Sequence, residues 1–282
     1  MYDTHQPNPS SDRLPTMYDL PSEDPNEPGL PDEFHLLQPE LLRLTFRPPN
    51  YPVDEFFTGS DLNLYYDPMH LQWYKRPDWF GVLGVSRFYN GQDLRMSYVT
   101  WQEAANPFVV VELLSPGTEA EDLGKKTGQS RRKLRDVSKP PNKWMVYEQI
   151  LSIPYYFVFN RYTNELQPFG LMMGRYQPLS FSMPEPSGIL SGERPKKGVW
   201  LQEAELGLGL WKGSYQGVNR LWLRWFDRDL NWIATPEEQE AQRANQEAQR
   251  ANQEAQRAEQ EAQRAERLAS RLRELGIDPD DV

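Results

Sequence analysis

The chain has 282 residues, with 31 Lys and Arg against 41 Asp and Glu, a formal net charge of -10 and no Cys. Disulfide frameworks, thiolate zinc sites and cysteine nucleophiles are therefore excluded. No apolar run approaches the ~18 residues that cross a bilayer, and the start, MYDTHQPNPSSDRLP, has neither the basic nor the apolar stretch of a secretory signal, so the expected compartment is the cytoplasm.

The charge is unevenly spread. Residues 1–55 are net -8, residues 56–236 net +3 and residues 237–282 net -5. Segment 1–33 is rich in Pro, Asp, Glu, Asn and Ser, which bury too little apolar surface to offset ordering entropy; it is predicted to be disordered. An entry segment over 34–54 has Leu36, Leu37, Leu41, Leu42 and Leu44 as apolar anchors.

The body, to about residue 235, holds most of the aromatics. Apolar and β-branched runs at 79–85, 98–101, 108–114 and 155–159 suit strands of a sheet covered on both faces. Segment 142–152 (NKWMVYEQILS) spaces Trp144, Tyr147, Ile150 and Leu151 by three or four, which predicts an amphipathic helix stopped by Pro154. Hairpin strands are expected at 162–170 and 175–181, a turn at Gly207-Leu208-Gly209, and two short strands over 222–233 around Asp227-Arg228-Asp229. The predicted class is α/β, or α+β with a mixed sheet, for a domain over 34–235.

The tail repeats the heptad EAQRANQ from Glu240 to Arg267, with Ala at 241, 244, 248, 251, 255, 258, 262 and 265. That 3–4 alternation is a coiled-coil seam, shallow because alanine buries little area. Thr235-Pro236-Glu237-Glu238 opens the helix as N-cap, N1 and N3, and Gly276 closes it before a short end at 277–282. A solitary solvated helix and a homo-oligomer through 236–276 suit this pattern equally.

Three isolated histidines, His5, His35 and His70, form neither a two-histidine metal motif nor a triad, and no phosphate-binding glycine loop is present. What remains is Asp78, after Arg76-Pro77 and before a buried strand; Glu112, inside the apolar run FVVVELL; and Lys143, at the start of the helix that carries Tyr147. A carboxylate in an apolar strand is costly unless compensated. Asp and Glu from neighbouring strands make an oxygen site for Mg²⁺ or Mn²⁺, and a nearby lysine can orient water or stabilise phosphoryl charge. Each also has a plainer reading: Asp78 as a turn residue, Glu112 as a core carboxylate paired with an arginine, Lys143 as a solvated helix start. Glu119, Glu121 and Asp122 read as solvated, with a supplementary metal role open to one of them.

The segments RPDWFGVLGV, PFVVVELLSPGTEAEDLG and KWMVYEQILSIPYYFVFNRY resemble the Uma-two family of restriction endonuclease-like proteins, within the PD-(D/E)XK nuclease superfamily. The resemblance covers about 60–235 and implies an α-β-β-β-α-β core. It implies that Asp78 and Glu112 are metal ligands and that catalysis is Mg²⁺-dependent hydrolysis of DNA. The superfamily lysine two residues after the (D/E) position is replaced here by Leu114; Lys143, in a K-x-x-x-Y pattern with Tyr147, matches a lysine moved to the following helix, and Lys125 and Lys126 compete for the role.

Segment 125–143 carries Lys125, Lys126, Arg131, Arg132, Lys133, Arg135, Lys139 and Lys143 against Asp136 alone. In an acidic chain this is the candidate phosphate-binding stretch, and its alternative is a flexible basic loop. The functional expectation is a metal-dependent DNA endonuclease. The alternative is a catalytically inactive, nuclease-derived nucleic-acid-binding or coiled-coil interaction module.

Overall fold

The computed structural model describes residues 32–115, 119–124, 139–186 and 193–275, and the chain divides into two units, Met1–Ile233 and Ala234–Val282. The stretch expected to be disordered lies outside the described residues up to position 31; Asp32 and Glu33 instead start a helix.

That helix, α1 (Glu33–Thr45), is capped by Asp32, whose carboxylate accepts from the His35 amide. Its inward stripe is Phe34, Gln38, Leu41, Leu42 and Thr45, the spacing of one helical face. Leu41 and Leu42 are buried as expected, but Leu36 lies on the opposite face and is 68% exposed, so it anchors nothing. Gln38 is wholly buried, and its amide both donates to the carbonyl and accepts from the N–H of Leu223.

A six-stranded sheet follows, in the spatial order β1 (Phe56–Gly59), β4 (Trp79–Leu83), β6 (Val109–Leu113), β7 (Tyr155–Asn160), β8 (Glu165–Met172), β9 (Arg175–Pro178). All neighbours are antiparallel except β6 and β7. A parallel pair needs a crossover, and among its described residues are the short helical pieces α3 (Glu119–Asp122) and α4 (Lys143–Met145). Read in order, α1, β1, β4, β6, α4 and β7 give the α-β-β-β-α-β succession, so the fold is a mixed α/β one. A small sheet, β3 (Tyr74–Lys75), β2 (Leu64–Tyr65) and β5 (Tyr98–Val99), and a second, β10 (Gly198–Leu201), β11 (Leu206–Tyr215) and β12 (Val218–Phe226), complete the first unit.

The large sheet separates two apolar clusters. Val109, Val111 and Leu113 of β6 face the one that includes α1 and the β10–β12 sheet; Val110 and Leu114 face the other, with Phe80, Val82, Val146, Tyr147 and Leu151. Because side chains alternate along a strand, Glu112 shares the second face, as does Asp78.

Three local expectations are corrected. Only Tyr98 and Val99 of the run 98–101 are extended; Thr100–Glu103 forms a helical turn, α2, ended by Ala104 in the left-handed region. Gly207-Leu208-Gly209 is strand rather than turn: a Cβ at Gly207 would lie 2.0 Å from the Phe226 ring, so glycine there lets the ring lie on the strand. Of the segment 222–233, only residues 222–226 are strand, the end of the long β12, after which the chain turns and doubles back into a single bridge, Phe226 to Trp232. The amphipathic helix at 142–152 forms but changes type, α4 running into a π-helical turn, Val146–Ile150.

In the second unit, α5 (Pro236–Glu274) is 39 residues long, about 58 Å at 1.5 Å per residue. Thr235 and Glu238 form the reciprocal capping box. None of its described residues is buried. Gly276 and the end of the chain lie outside the described residues. No helix among the described residues is long and apolar enough to cross a membrane.

Candidate active site

Asp78 enters the site because Pro77 precedes it and β4 begins at Trp79, so its side chain points to the same face as Phe80. Antiparallel register sets Trp79 opposite Val111, which brings Asp78 beside Glu112 and Leu113. The Asp78 amide donates to Glu112 Oε2 at 3.4 Å, and the Leu113 amide donates to Asp78 Oδ2 at 2.6 Å. The two carboxylates are thus tied through backbone groups of each other's strands.

Glu112 has no exposed surface, and both its oxygens are occupied. The Tyr147 hydroxyl donates to Oε1 at 2.9 Å, and Lys143 Nζ donates to Oε2 at 3.1 Å. The π-turn contributes to this. Its Leu151 amide bonds to the Val146 carbonyl, five residues back, and a wider turn of this type is a frequent feature of functional helices. Asn142 caps α4 through its side chain, accepting from Met145, and so fixes where Lys143 leaves the backbone.

A third carboxylate belongs to the cluster. Asp122 was expected to be solvated, yet it is 1% exposed. Its Oδ1 stands 3.0 Å from Lys143 Nζ as an ion pair, without the alignment of a hydrogen bond. α3 carries it there, and the Tyr156 hydroxyl holds that helix by donating to the Asp122 carbonyl at 2.8 Å. Glu121, on the outer side, accepts from Lys143 N at 3.2 Å and pairs with Lys75 Nζ at 3.4 Å, both through Oε1. The Glu119 side chain lies outside what is described.

The electrostatics follow from three acids meeting one half-buried ammonium. Loss of hydration pushes the Glu112 carboxyl well above the ordinary carboxylate range, against the pull of Lys143 and with the push of Asp78 and Asp122. Asp78 is raised for the same first reason, with Lys143 and His35 opposing. Burial alone would depress Lys143, but the charges of Glu112, Asp122 and Asp78 outweigh it and hold the amine well above a normal lysine. Lys143 therefore stays an ammonium at neutral pH. Lys75 is depressed, chiefly by burial.

Sequence reasoning missed two more neighbours. His35 reaches from α1 to place Nε2 3.3 Å from the Leu113 carbonyl, while its Nδ1 meets Asp32 at 2.8 Å; burial opposes its charge, but Asp32 and Asp78 hold its pKa above the usual value. Lys75 lies three residues before Asp78, on a strand too short to read from pattern. The basic residues Lys125, Lys126, Arg131, Arg132, Lys133 and Arg135 all lie outside the described residues, and Lys139 is exposed.

The donor set is all oxygen, the choice of a hard cation, and Mg²⁺ takes as few as one or two carboxylates with water and phosphate completing its shell. Asp78 and Glu112, side by side on neighbouring strands, supply two such carboxylates. Among the described residues no three His, Asp or Glu side chains converge closely enough to chelate a metal by themselves. Here the Lys143 ammonium bridges two of the carboxylates.

Compared with known families, the chain matches the model described as Uma2, "putative restriction endonuclease", over residues 13–203, a span that contains Asp78, Glu112, Asp122 and Lys143. No curated protein matches it.

Proposed function

The chain belongs to the Uma2 restriction endonuclease family, and from that premise we propose that it is a metal-dependent endonuclease hydrolysing phosphodiester bonds in DNA. The observation that carries the reading is the meeting of Asp78 N and Lys143 Nζ on one oxygen, Glu112 Oε2, at 3.4 and 3.1 Å. Paired acids from adjacent strands, with a lysine on the same atom, suit metal-assisted phosphoryl chemistry. Asp78 and Glu112 hold Mg²⁺ or Mn²⁺, which when bound stabilises charge on the phosphoryl oxygens.

The residues divide the remaining work. Lys143, kept protonated, cannot be a general base; it donates a hydrogen bond that aims a water at phosphorus, in line with the leaving oxygen. Tyr147 and Asp122 are positioning residues, the first fixing the Glu112 carboxylate and the second the Lys143 ammonium. The basic stretch from Lys125 to Arg135 supplies phosphate contact along the duplex.

Calorimetric titration of Mg²⁺ and Mn²⁺, with and without DNA, against the native chain, Asp78→Ala and Glu112→Ala tests the assignment. Both variants should lose metal binding and plasmid cleavage while keeping the native circular dichroism spectrum. Undiminished cleavage in both would end the reading.

A second reading draws on α5. Its alanine seam is exposed along the whole helix, open to another copy, so the chain is alternatively an interaction module that keeps a nuclease fold without the chemistry. Sedimentation that shows an oligomer, in a chain that binds DNA without metal and never cuts it, would favour this.

A further inference from the structure

Two lysines stand at this site, and their bonds differ. An ammonium has three donors. Lys143 directs its ammonium at two buried carboxylates, Glu112 and Asp122, at 3.1 and 3.0 Å. Moving it onto a substrate phosphate would leave Asp122, which the proposed metal does not engage, buried without a counter-charge, which is strongly unfavourable. Lys75 is placed otherwise. Among the described residues its one ion-pair partner is Glu121, at 3.4 Å, and Glu121 is the most exposed acid of the group, its side chain 39% accessible. A pair that wet holds together weakly, and Glu121 regains water when it is released.

Lys75 itself is anchored. Its side chain is 13% exposed, and its backbone pairs with Leu64 across the β2–β3 hairpin, which fixes the stem. Glu121 also receives the Lys143 backbone amide on the same oxygen that meets Lys75. An ammonium and an N–H directed at one anionic oxygen form a donor pair that suits a phosphate oxygen as well as a carboxylate.

We propose that Lys75 is the lysine that grips a non-bridging phosphate oxygen of the DNA backbone beside the scissile bond, leaving Glu121 to do so. The assignment rests on the nuclease reading above and names the residue through which that site takes hold of its substrate. Glu121 acts as an internal stand-in for phosphate, which weakens binding until DNA displaces it. The two lysines then have separate duties: Lys143 stays with the carboxylates and the water, and Lys75 holds the substrate.

The test is fluorescence anisotropy of a mixed-sequence DNA duplex, titrated with the full chain in Ca²⁺ at several salt concentrations. Lys75→Ala should weaken binding about threefold or more and flatten the slope of log K against log salt by about 0.9, the contribution of one phosphate contact. Lys75→Arg should keep the slope. Glu121→Gln should tighten binding, an effect that a misfolded variant cannot produce. Native affinity and slope in Lys75→Ala, or weaker binding in Glu121→Gln, overturns the proposal. If those results come with a wild-type chain that binds and cuts DNA, this inference fails alone. If the wild-type chain does not bind DNA, the nuclease reading fails with it.

Discussion

The Tyr147 hydroxyl donates to Oε1 of Glu112 at 2.9 Å, from a π-helical turn to the middle of a buried strand. Removing that hydroxyl leaves an acid oxygen dry and unsatisfied. Tyr147→Phe should cost about 1–3 kcal/mol. Urea unfolding at neutral pH should show a lower midpoint with an unchanged m-value. An unchanged midpoint would mean that the phenol is replaceable by water.

Lys143 neutralises two acids with no exposed surface to speak of, so its loss should be felt throughout the fold. Lys143→Met should destabilise by about 3–5 kcal/mol near pH 7. The sign of the pH dependence follows from Glu112. Its carboxyl is already raised, so its folded form favours the proton, and stability from that source is present below the unfolded value of 4.5 and lost as pH rises through the folded one. Without Lys143 the carboxyl rises further. The penalty should therefore be small in acid and grow with pH above 4.5, as parallel melts of both proteins at a series of pH values would show.

Metal binding should carry the same signature with the opposite sense. Ligand carboxylates must lose their protons, and both Asp78 and Glu112 are raised, burial being the first cause. Apparent Mg²⁺ affinity should tighten as pH rises above the ordinary carboxylate range. Calorimetry in buffers of different ionisation enthalpy should detect protons released on binding. A pH-independent affinity would place the cation elsewhere.

Gly207 lies against the Phe226 ring, where an added Cβ would sit 2.0 Å from a ring carbon. Gly207→Ala should force the ring or strand aside and destabilise by about 1–3 kcal/mol. Because Phe226 belongs to the far sheet, the site's metal affinity should be unchanged. A thermal melt paired with a metal titration checks both halves.

Much of the large sheet was legible because its strands are continuous apolar runs, and Glu112 stood out because an acid in such a run demands a partner. The meeting of Asp78 with Glu112 and Lys143 came from the resemblance. Asp122 could not be read. Its neighbours Glu119 and Glu121 make the stretch look like a solvated face, and the short turn of α3, tied down by Tyr156, carries Asp122 inward. Lys75 and His35 were invisible for a different reason: their importance depends on contacts to residues 46 and 78 positions away. Gly207 and Gly209 looked like a turn because glycine marks both sharp bends and close approaches, and the ring that approaches lies in the next strand of the hairpin.

Gln38 bears on how the β10–β12 sheet ends. Its amide answers the N–H and C=O of Leu223 as a neighbouring strand would, Ile233 donates to the Trp225 carbonyl, and Trp232 bridges Phe226. At the opposite border, β10 is met by Ser182, which pairs with Val199. Each border of this sheet is thus met by the chain itself, and the inner end of β12 offers few open backbone groups to a stray strand. Sheet borders left bare are templates for runaway association between molecules, a hazard sharpened in a sequence whose strands are long, aromatic and poor in charge. Gln38 thus acts less as a core filler than as a stopper against that growth.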